Sequence, residues 1–165
     1  QGAVAAGLLG CGSVVLGSAE ACGRFLGGLV ESGGDPTEAV RTLRAEKKAV
    51  PGFGHPLHAG GDPRANLLLG LADERGAAGA HVAMLRRVEA TLPMALGRPL
   101  PINVNGAIPA VMLDVGFPLE ALKGLSLLAR TASLIAHLRE ESERPIGFIL
   151  SGKAAEAVAY DGPEG

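Results

Sequence analysis

Residues 50–66 read VPGFGHPLHAGGDPRAN, with prolines at 51, 56 and 63 and glycines at 52, 54, 60 and 61. Proline fixes φ and removes a donor, while glycine opens the positive-φ region, so this stretch fits neither a helix interior nor a central strand. It has to be an irregular loop, and such loops are where folds present binding groups. His55 and His58 sit inside it. The bland reading is a connector with two solvated histidines.

The segments around the loop show helical apolar spacing and no alternation of period two, which predicts an all-α chain of six or seven helices. Residues 1–32 are rich in Ala, Gly and Leu and read as a buried helix interrupted near Gly10–Ser13. Asp35-Pro36 and Asp62-Pro63 each combine an N-cap with Pro at the first helical position. They open an amphipathic helix over Thr37–Ala49 and another over Arg64–Glu74, the latter with Leu67, Leu68 and Leu71 inward. Arg64 thereby lies in a first helical turn, where the backbone favours anions and a guanidinium adds further donors.

Further helices are expected at 79–92, at Ala107–Val115 with Pro109 in the first turn, and at Leu119–Glu143. A proline-studded loop is expected over Met94–Gly106, and residues from Ser151 onward read as a weakly apolar tail that frays. The chain opens in helical apolar pattern without Met or cap, as if the sequence began in the middle of a fold.

Composition narrows the function classes. The 165 residues are 47% hydrophobic with a net charge of −2, enough for one domain or two small lobes. Aromatics are few: Phe25, Phe53, Phe117, Phe148 and Tyr160. A near-neutral balance argues against a nucleic-acid surface. No apolar run is read as reaching the roughly 18 to 20 uncharged residues that span a bilayer, and no charged signal-peptide region precedes one. These readings point to a cytoplasmic protein. Cys11 and Cys22 would lie about 16 Å apart along one helix, too far for a disulfide, so buried free thiols are expected.

Several chemistries find no support. The sequence has no G-x-x-x-x-G-K-[ST] and no G-x-G-x-x-G following a strand, and no G-x-S-x-G nucleophile elbow. His55-x-x-His58 spans Pro56, and the cysteines lie in another segment, so no metal site is expected.

Three ordered motifs carry a resemblance: PGFGHPLHAGGDPRA (51–65), PINVNGAIPAVMLDVGFP (101–118) and LARTASLIAHLREESERPIG (128–147). In order and spacing they are similar to the C-terminal half of the citrate synthase superfamily over about residues 1–150. The likeness is nearest to the citryl-CoA lyase branch and the lyase module of ATP-citrate lyases. It implies large and small helical domains around a cleft, in a homodimer or higher homo-oligomer. The family division places a large-domain remnant at 1–11, the small domain at 12–104, the C-terminal part of the large domain at 105–150 and a tail at 151–165. The family's N-terminal helices would precede Gln1.

The resemblance also implies the chemistry: citryl-CoA, or a related 3-hydroxy-3-carboxyacyl-CoA, cleaved to acetyl-CoA and oxaloacetate or another 2-oxo acid through an enolate, or the reverse condensation run by a citrate or methylcitrate synthase. A third possibility is a silent homologue that binds CoA or a polycarboxylate. By motif position His55 would exchange a proton at the oxaloacetate carbonyl or citryl hydroxyl. Arg64, Arg130 and Arg144 would hold carboxylates, Arg144 in the partner chain's site, since a forked guanidinium suits them. The bland alternative for Arg144 is a helix C-terminal charge facing the dipole. Pro51, Gly52, Phe53 and Gly54 would present backbone to the CoA adenine. His81 and His137 read as packing or surface histidines, and His58 has no matching role.

Two departures bear on direction. Synthases carry a histidine where GSVVLGSAE (12–20) has Val15, which favours the lyase branch. Their N-V-D motif stands here as Asn103-Val104-Asn105. An amide moves no proton at neutral pH but can donate to an enolate oxygen. Cleavage tolerates that change better, because an expelled enolate takes a proton from water while a thioester methyl needs a real base. Ala59 stands where synthases often place a basic residue toward the CoA phosphates, implying weaker CoA binding.

Overall fold

The computed structural model describes residues 1–159 and 161–163; Tyr160 and the last two positions of the expected tail lie outside the described residues. The helices are α1 (Gly2–Leu16), α2 (Ser18–Ser32), α3 (Pro36–Ala45), α4 (Pro63–Glu74), α5 (Ala80–Leu96), α6 (Val104–Asp114), α7 (Leu122–Glu143) and α8 (Gly147–Ala157). A short 3-10 turn, Leu119–Ala121, leads into α7. Among the described residues there is no strand, only an isolated bridge between Phe53 and Ile102. The all-α expectation holds, with more helices than the sequence suggested. The chain divides into two compact units, residues 1–10 with 128–165, and residues 11–127.

In the second unit, α2 packs on α5 and α6, α3 on α5, and α4 on α6. Leu26, Val40, Val82, Leu85, Val88 and Leu92 are fully buried at these crossings. Several boundaries differ from expectation for local reasons. Helix α3 stops at Ala45 rather than Ala49. Lys47 takes φ 56, its amide reaches the Arg44 carbonyl and the Lys48 amide reaches that of Leu43. That is the Schellman ending, with lysine in the place glycine usually holds.

Helix α5 runs through Pro93 to Leu96 and stops at Gly97, φ 75, while α6 begins at Val104 under an Asn103 cap. Pro109 is therefore inside α6 rather than in its first turn, and the 94–106 loop shrinks. On α4 the inward stripe is Ala65, Leu69 and Ala72, with Leu67 66% exposed and Leu71 also out. The run Leu67-Leu68-Leu69 offered two apolar stripes, and the one flanked by small alanines lets α4 approach α6.

The N-terminal apolar stretch also departs from expectation. Residues 1–19 carry no charged side chain, and Gly2–Ser32 is long and apolar enough to cross a membrane, an 18-residue window within it having a mean hydropathy of 1.7. It is not one straight rod: Gly12 leaves helical geometry at φ 59, ψ −173, and Gly17 separates α1 from α2. Helix α2 buries Ala19, Cys22, Leu26 and Leu29 in the core, while Leu9, Val14 and Val15 on α1 are exposed. The whole-length burial expected for 1–32 thus begins only at Leu16, the last residue of α1, and continues along α2. Both cysteines are free, Cys11 half-buried and Cys22 fully so, and burial pushes the Cys22 thiol up to about 12.

In the first unit, Gly7 of α1 packs against Leu134 of α7, where a Cβ would stand 2.8 Å from a Leu134 methyl. Helix α8 extends to Ala157, into the tail expected to fray from Ser151 onward. It begins under the Glu141 carboxylate, which accepts the Ile146 and Gly147 amides at 3.0 Å each. These bonds satisfy orphan N–H groups from outside the helix, a cap that the local sequence does not announce.

Candidate active site

The loop after α3 is locked onto the start of α6. Gly54 donates its amide to the Pro101 carbonyl at 2.8 Å, and Asn103 donates to the Gly52 carbonyl at 3.0 Å. The Asn103 side-chain amide donates to the Gly54 carbonyl at 2.6 Å, while its oxygen caps the Asn105 amide at 2.9 Å. Phe53 is buried between these contacts. Pro51–Gly54 is therefore a rigid ledge, and His55 follows directly from it.

His55 is half-buried, and its Nδ1 accepts the Leu57 amide at 3.1 Å. That bond leaves the proton of the neutral ring on Nε2, so the outward nitrogen is a donor. The His58 ring lies against it, with centroids 4.5 Å apart and planes tilted by 34°.

Arg64 begins beside the same junction, and the anion at the α4 N-terminus is a carboxylate of the chain itself. Asp62, buried, accepts the Arg64 amide at 3.0 Å, its Nε at 2.9 Å and its Nη2 at 2.8 Å. Its Oδ2 also accepts the Val104 amide at 2.9 Å. The Arg64 guanidinium holds the Asp62 carboxyl well below the usual range; burial opposes this, and the two backbone amides add to it. Asn105, one residue on, is half-buried, and no hydrogen bond reaches its side-chain amide among the described residues.

A cleft of about 610 Å³ opens beside the ledge, lined by Val50, Phe53, Gly54, His55, Leu96 and Leu100 with four cations, Arg44, Lys47, Lys48 and Arg98. Sequence reasoning missed this charge cluster because it ran the helix on to Ala49, through Lys47 and Lys48. The early Schellman ending turns them into the loop. Arg44 is held in place by the Ala95 carbonyl at the end of α5, and Lys48 is partly neutralised by Glu46 at 2.8 Å. The signal was present as Lys47-Lys48, one residue before VPGFGH, and as Arg98 between Gly97 and Pro99.

Of the expected anion-binding residues, the structure gathers His55, Arg64, Asn105 and the 51–54 ledge in the second unit. Arg130 and Arg144 belong to the first. Arg130 is half-buried on α7, and Arg144 is exposed and paired to Glu140 at 3.0 Å. A second cleft, of about 590 Å³, is lined in that unit by Ala3, Leu134, Leu138, Ile146 and Leu150, with Arg144 and His137 at its edge.

Comparison with known proteins places the chain in a family. A citryl-CoA lyase from Hydrogenobacter thermophilus superposes with a TM-score of 0.83 at 31% identity, over 98% of this chain and 63% of that one. An ATP citrate lyase from Methanothrix soehngenii, in complex with citrate and coenzyme A, gives a TM-score of 0.77 at 23% identity, over 95% of this chain and 28% of that one. A citrate synthase-like protein from a Phoma species is 30% identical over 113 residues, 65% of this chain and 24% of its own length. The chain thus spans less than two thirds of the length of each of these relatives. Residues 2–147 match the family described as citrate synthase, C-terminal domain. The chain belongs to the citrate synthase family.

Proposed function

We propose that this chain supplies the C-terminal part of a citryl-CoA lyase-type enzyme, which cleaves citryl-CoA to acetyl-CoA and oxaloacetate. The observation that carries the reading is the junction of the His55 ledge with the four-cation cleft. A thioester of a polyanionic nucleotide needs a basic wall for phosphates and a backbone ledge for a flat base, and the reacting end must then meet a proton-handling group. The cations Arg44, Lys47, Lys48 and Arg98 also offset what Ala59 fails to supply.

The chemistry divides among the residues as follows. The citryl hydroxyl loses its proton as its oxygen becomes the oxaloacetate carbonyl, and the electrons of the breaking C–C bond pass to the thioester, giving an enolate. His55 takes that hydroxyl proton at Nε2, after the ring has released the Leu57 amide and moved its own proton to Nδ1. Asn105 donates to the enolate oxygen, and water returns one proton to carbon. Arg64, Arg130 and Arg144 hold carboxylates in this reading.

The whole enzyme in this reading keeps the family division at 1–11, 12–104, 105–150 and 151–165. It is a homodimer in which Arg144 serves the partner's site. The side chains of Ile135, Phe148, Ile149 and Leu150, left exposed in the first unit, support an assembled state.

A second reading, a homologue that binds CoA and citrate without turnover, is favoured by Asn105 alone. Oxaloacetate release from synthetic citryl-CoA, measured on the full-length protein with His55→Ala alongside, tests both. Release that falls by about 10²–10⁴-fold in His55→Ala supports the lyase. Saturable CoA binding without release supports the silent homologue, and release indifferent to His55 removes the assigned role of the loop.

A further inference from the structure

Asp62 is the one charged residue buried outright among the described residues. A buried carboxylate is costly unless every lone pair is used. Here all four bonds go to groups bearing on the candidate site. Three tie it to Arg64, through the backbone amide, Nε and Nη2, and the fourth ties it to the first amide of α6. Neither helix needs a partner this distant to form, since an Asp cap serves α4 and Asn103 already caps α6. The shared carboxylate instead fixes where Arg64 stands relative to Asn103-Val104-Asn105, and Asn103 in turn holds the ledge that ends in His55.

The geometry also restricts how Arg64 can bind. Its Nε–Nη2 edge, the side-on fork that normally grips a carboxylate, is already occupied by Asp62. Nη1 takes no hydrogen bond among the described residues, and about half of the side chain, 53%, is exposed. Because the Asp62–Arg64 pair is neutral as a unit, its recognition of an anion comes from direction more than from net charge.

Resting on the polycarboxylate reading above, we propose that Asp62 is the positioning residue for Arg64. It presents the Nη1 end of the guanidinium to a ligand carboxylate and keeps that end in register with Asn105. It touches no substrate itself. A lysine in place of Arg64 could not be held at two points and would lose the orientation along with the fork.

The test is a double-mutant cycle on the full-length protein, read as citrate affinity by calorimetry, with CoA affinity followed in the same samples. Arg64→Ala is expected to weaken citrate binding by about tenfold or more. Asp62→Asn should weaken it comparably while leaving CoA affinity unchanged, since the cations of the basic cleft stand on other elements. In the Arg64→Ala background, Asp62→Asn should then cost nothing further. Asp62→Ser, whose hydroxyl still caps α4, serves the same comparison if the asparagine variant folds poorly.

Full additivity of the two changes would overturn the positioning role and leave the polycarboxylate reading standing. Citrate and CoA affinity falling together in Asp62→Ser would do the same, by showing a general loss of structure. Arg64→Ala that binds citrate as the parent does would remove the polycarboxylate reading, and this inference with it.

Discussion

Gly52 and Gly106 meet backbone to backbone. A Cβ on Gly106 would stand 2.5 Å from the Gly52 carbonyl oxygen, and one on Gly52 would stand 2.8 Å from the Gly106 Cα and 2.6 Å from the Cys22 sulfur. Gly52 also takes φ 88, a region costly for any residue with a Cβ. This contact lets the ledge lie flat on the start of α6, above the core residue Cys22. Gly52→Ala and Gly106→Ala should each destabilise by about 1–3 kcal/mol, the cost of overpacking. Gly28→Ala is the control. Gly28 lies in α2 with open space around it, and the change should stabilise by about 0.5–1 kcal/mol. Urea midpoints of the three variants decide the matter, and equal shifts for all three would contradict the close contact.

Two depressed carboxyls make stability depend on acid. Asp62 is held low by the Arg64 guanidinium against its burial. For Asp114, burial works against the charge, but the amides of Val82, His81 and Gly79 and the His81 ring, 2.8 Å away, outweigh it and lower the carboxyl. A carboxyl whose folded pKa lies below its unfolded value of about 3.9 contributes its full stability above that pH. The contribution is lost as pH falls toward the folded value. Asp114→Asn should cost about 2 kcal/mol at neutral pH, and its unfolding free energy should fall less steeply than the parent's below about pH 4. Asp62→Asn should flatten the same window. Denaturant titrations across that range provide the check, and parallel acid slopes would refute the assignment.

What the sequence revealed and what it hid follow a physical pattern. Asp35-Pro36 and Asp62-Pro63 mark helix starts because cap and φ restriction act within two residues, and both helices begin at those prolines. The ledge was legible for the same reason, since Pro51, Gly52 and Gly54 leave little else possible. Endings set by distant or unusual partners were not. Lys47 in the left-handed region shortens α3, and Glu141 caps α8 from six residues before Gly147. Asp62 was legible as a cap but not as the partner of Val104, because a hydrogen bond across 42 residues has no local signature. The basic cleft escaped notice because it depended on one of those endings.

The cleft makes a sharp prediction about ionic binding. If Arg98 and Lys47 face the phosphates of CoA, Arg98→Ala and Lys47→Ala should each weaken CoA binding by about three- to tenfold. The loss should shrink as salt rises, because exposed charges are screened within about 8–10 Å at ordinary ionic strength. Citrate affinity should not move. Arg44→Ala should weaken CoA binding and also lower thermal stability, since it removes the donor held at the Ala95 carbonyl at the end of α5. Calorimetry at two salt concentrations distinguishes these outcomes. A loss of CoA affinity that does not change with salt would argue that the cations act through structure rather than charge.

Asn105 offers a test between the proposed lyase and a homologue that binds without turnover. It follows the N-cap Asn103 at the start of α6, with its backbone satisfied and its side chain available. On the lyase reading proposed above, its amide donates to the departing enolate, a role an ionised carboxylate cannot fill. Asn105→Asp should therefore lower citryl-CoA cleavage, by about 10²-fold, the range seen when one such donor is lost. The new carboxylate would also stand near the enolate's negative charge, adding repulsion in the same direction. Steady-state rates of oxaloacetate release on the parent and the variant give the answer. A rise in rate on installing Asp would mean that the site lacks a base rather than uses an amide, and would shift the reading toward a homologue that binds without turnover.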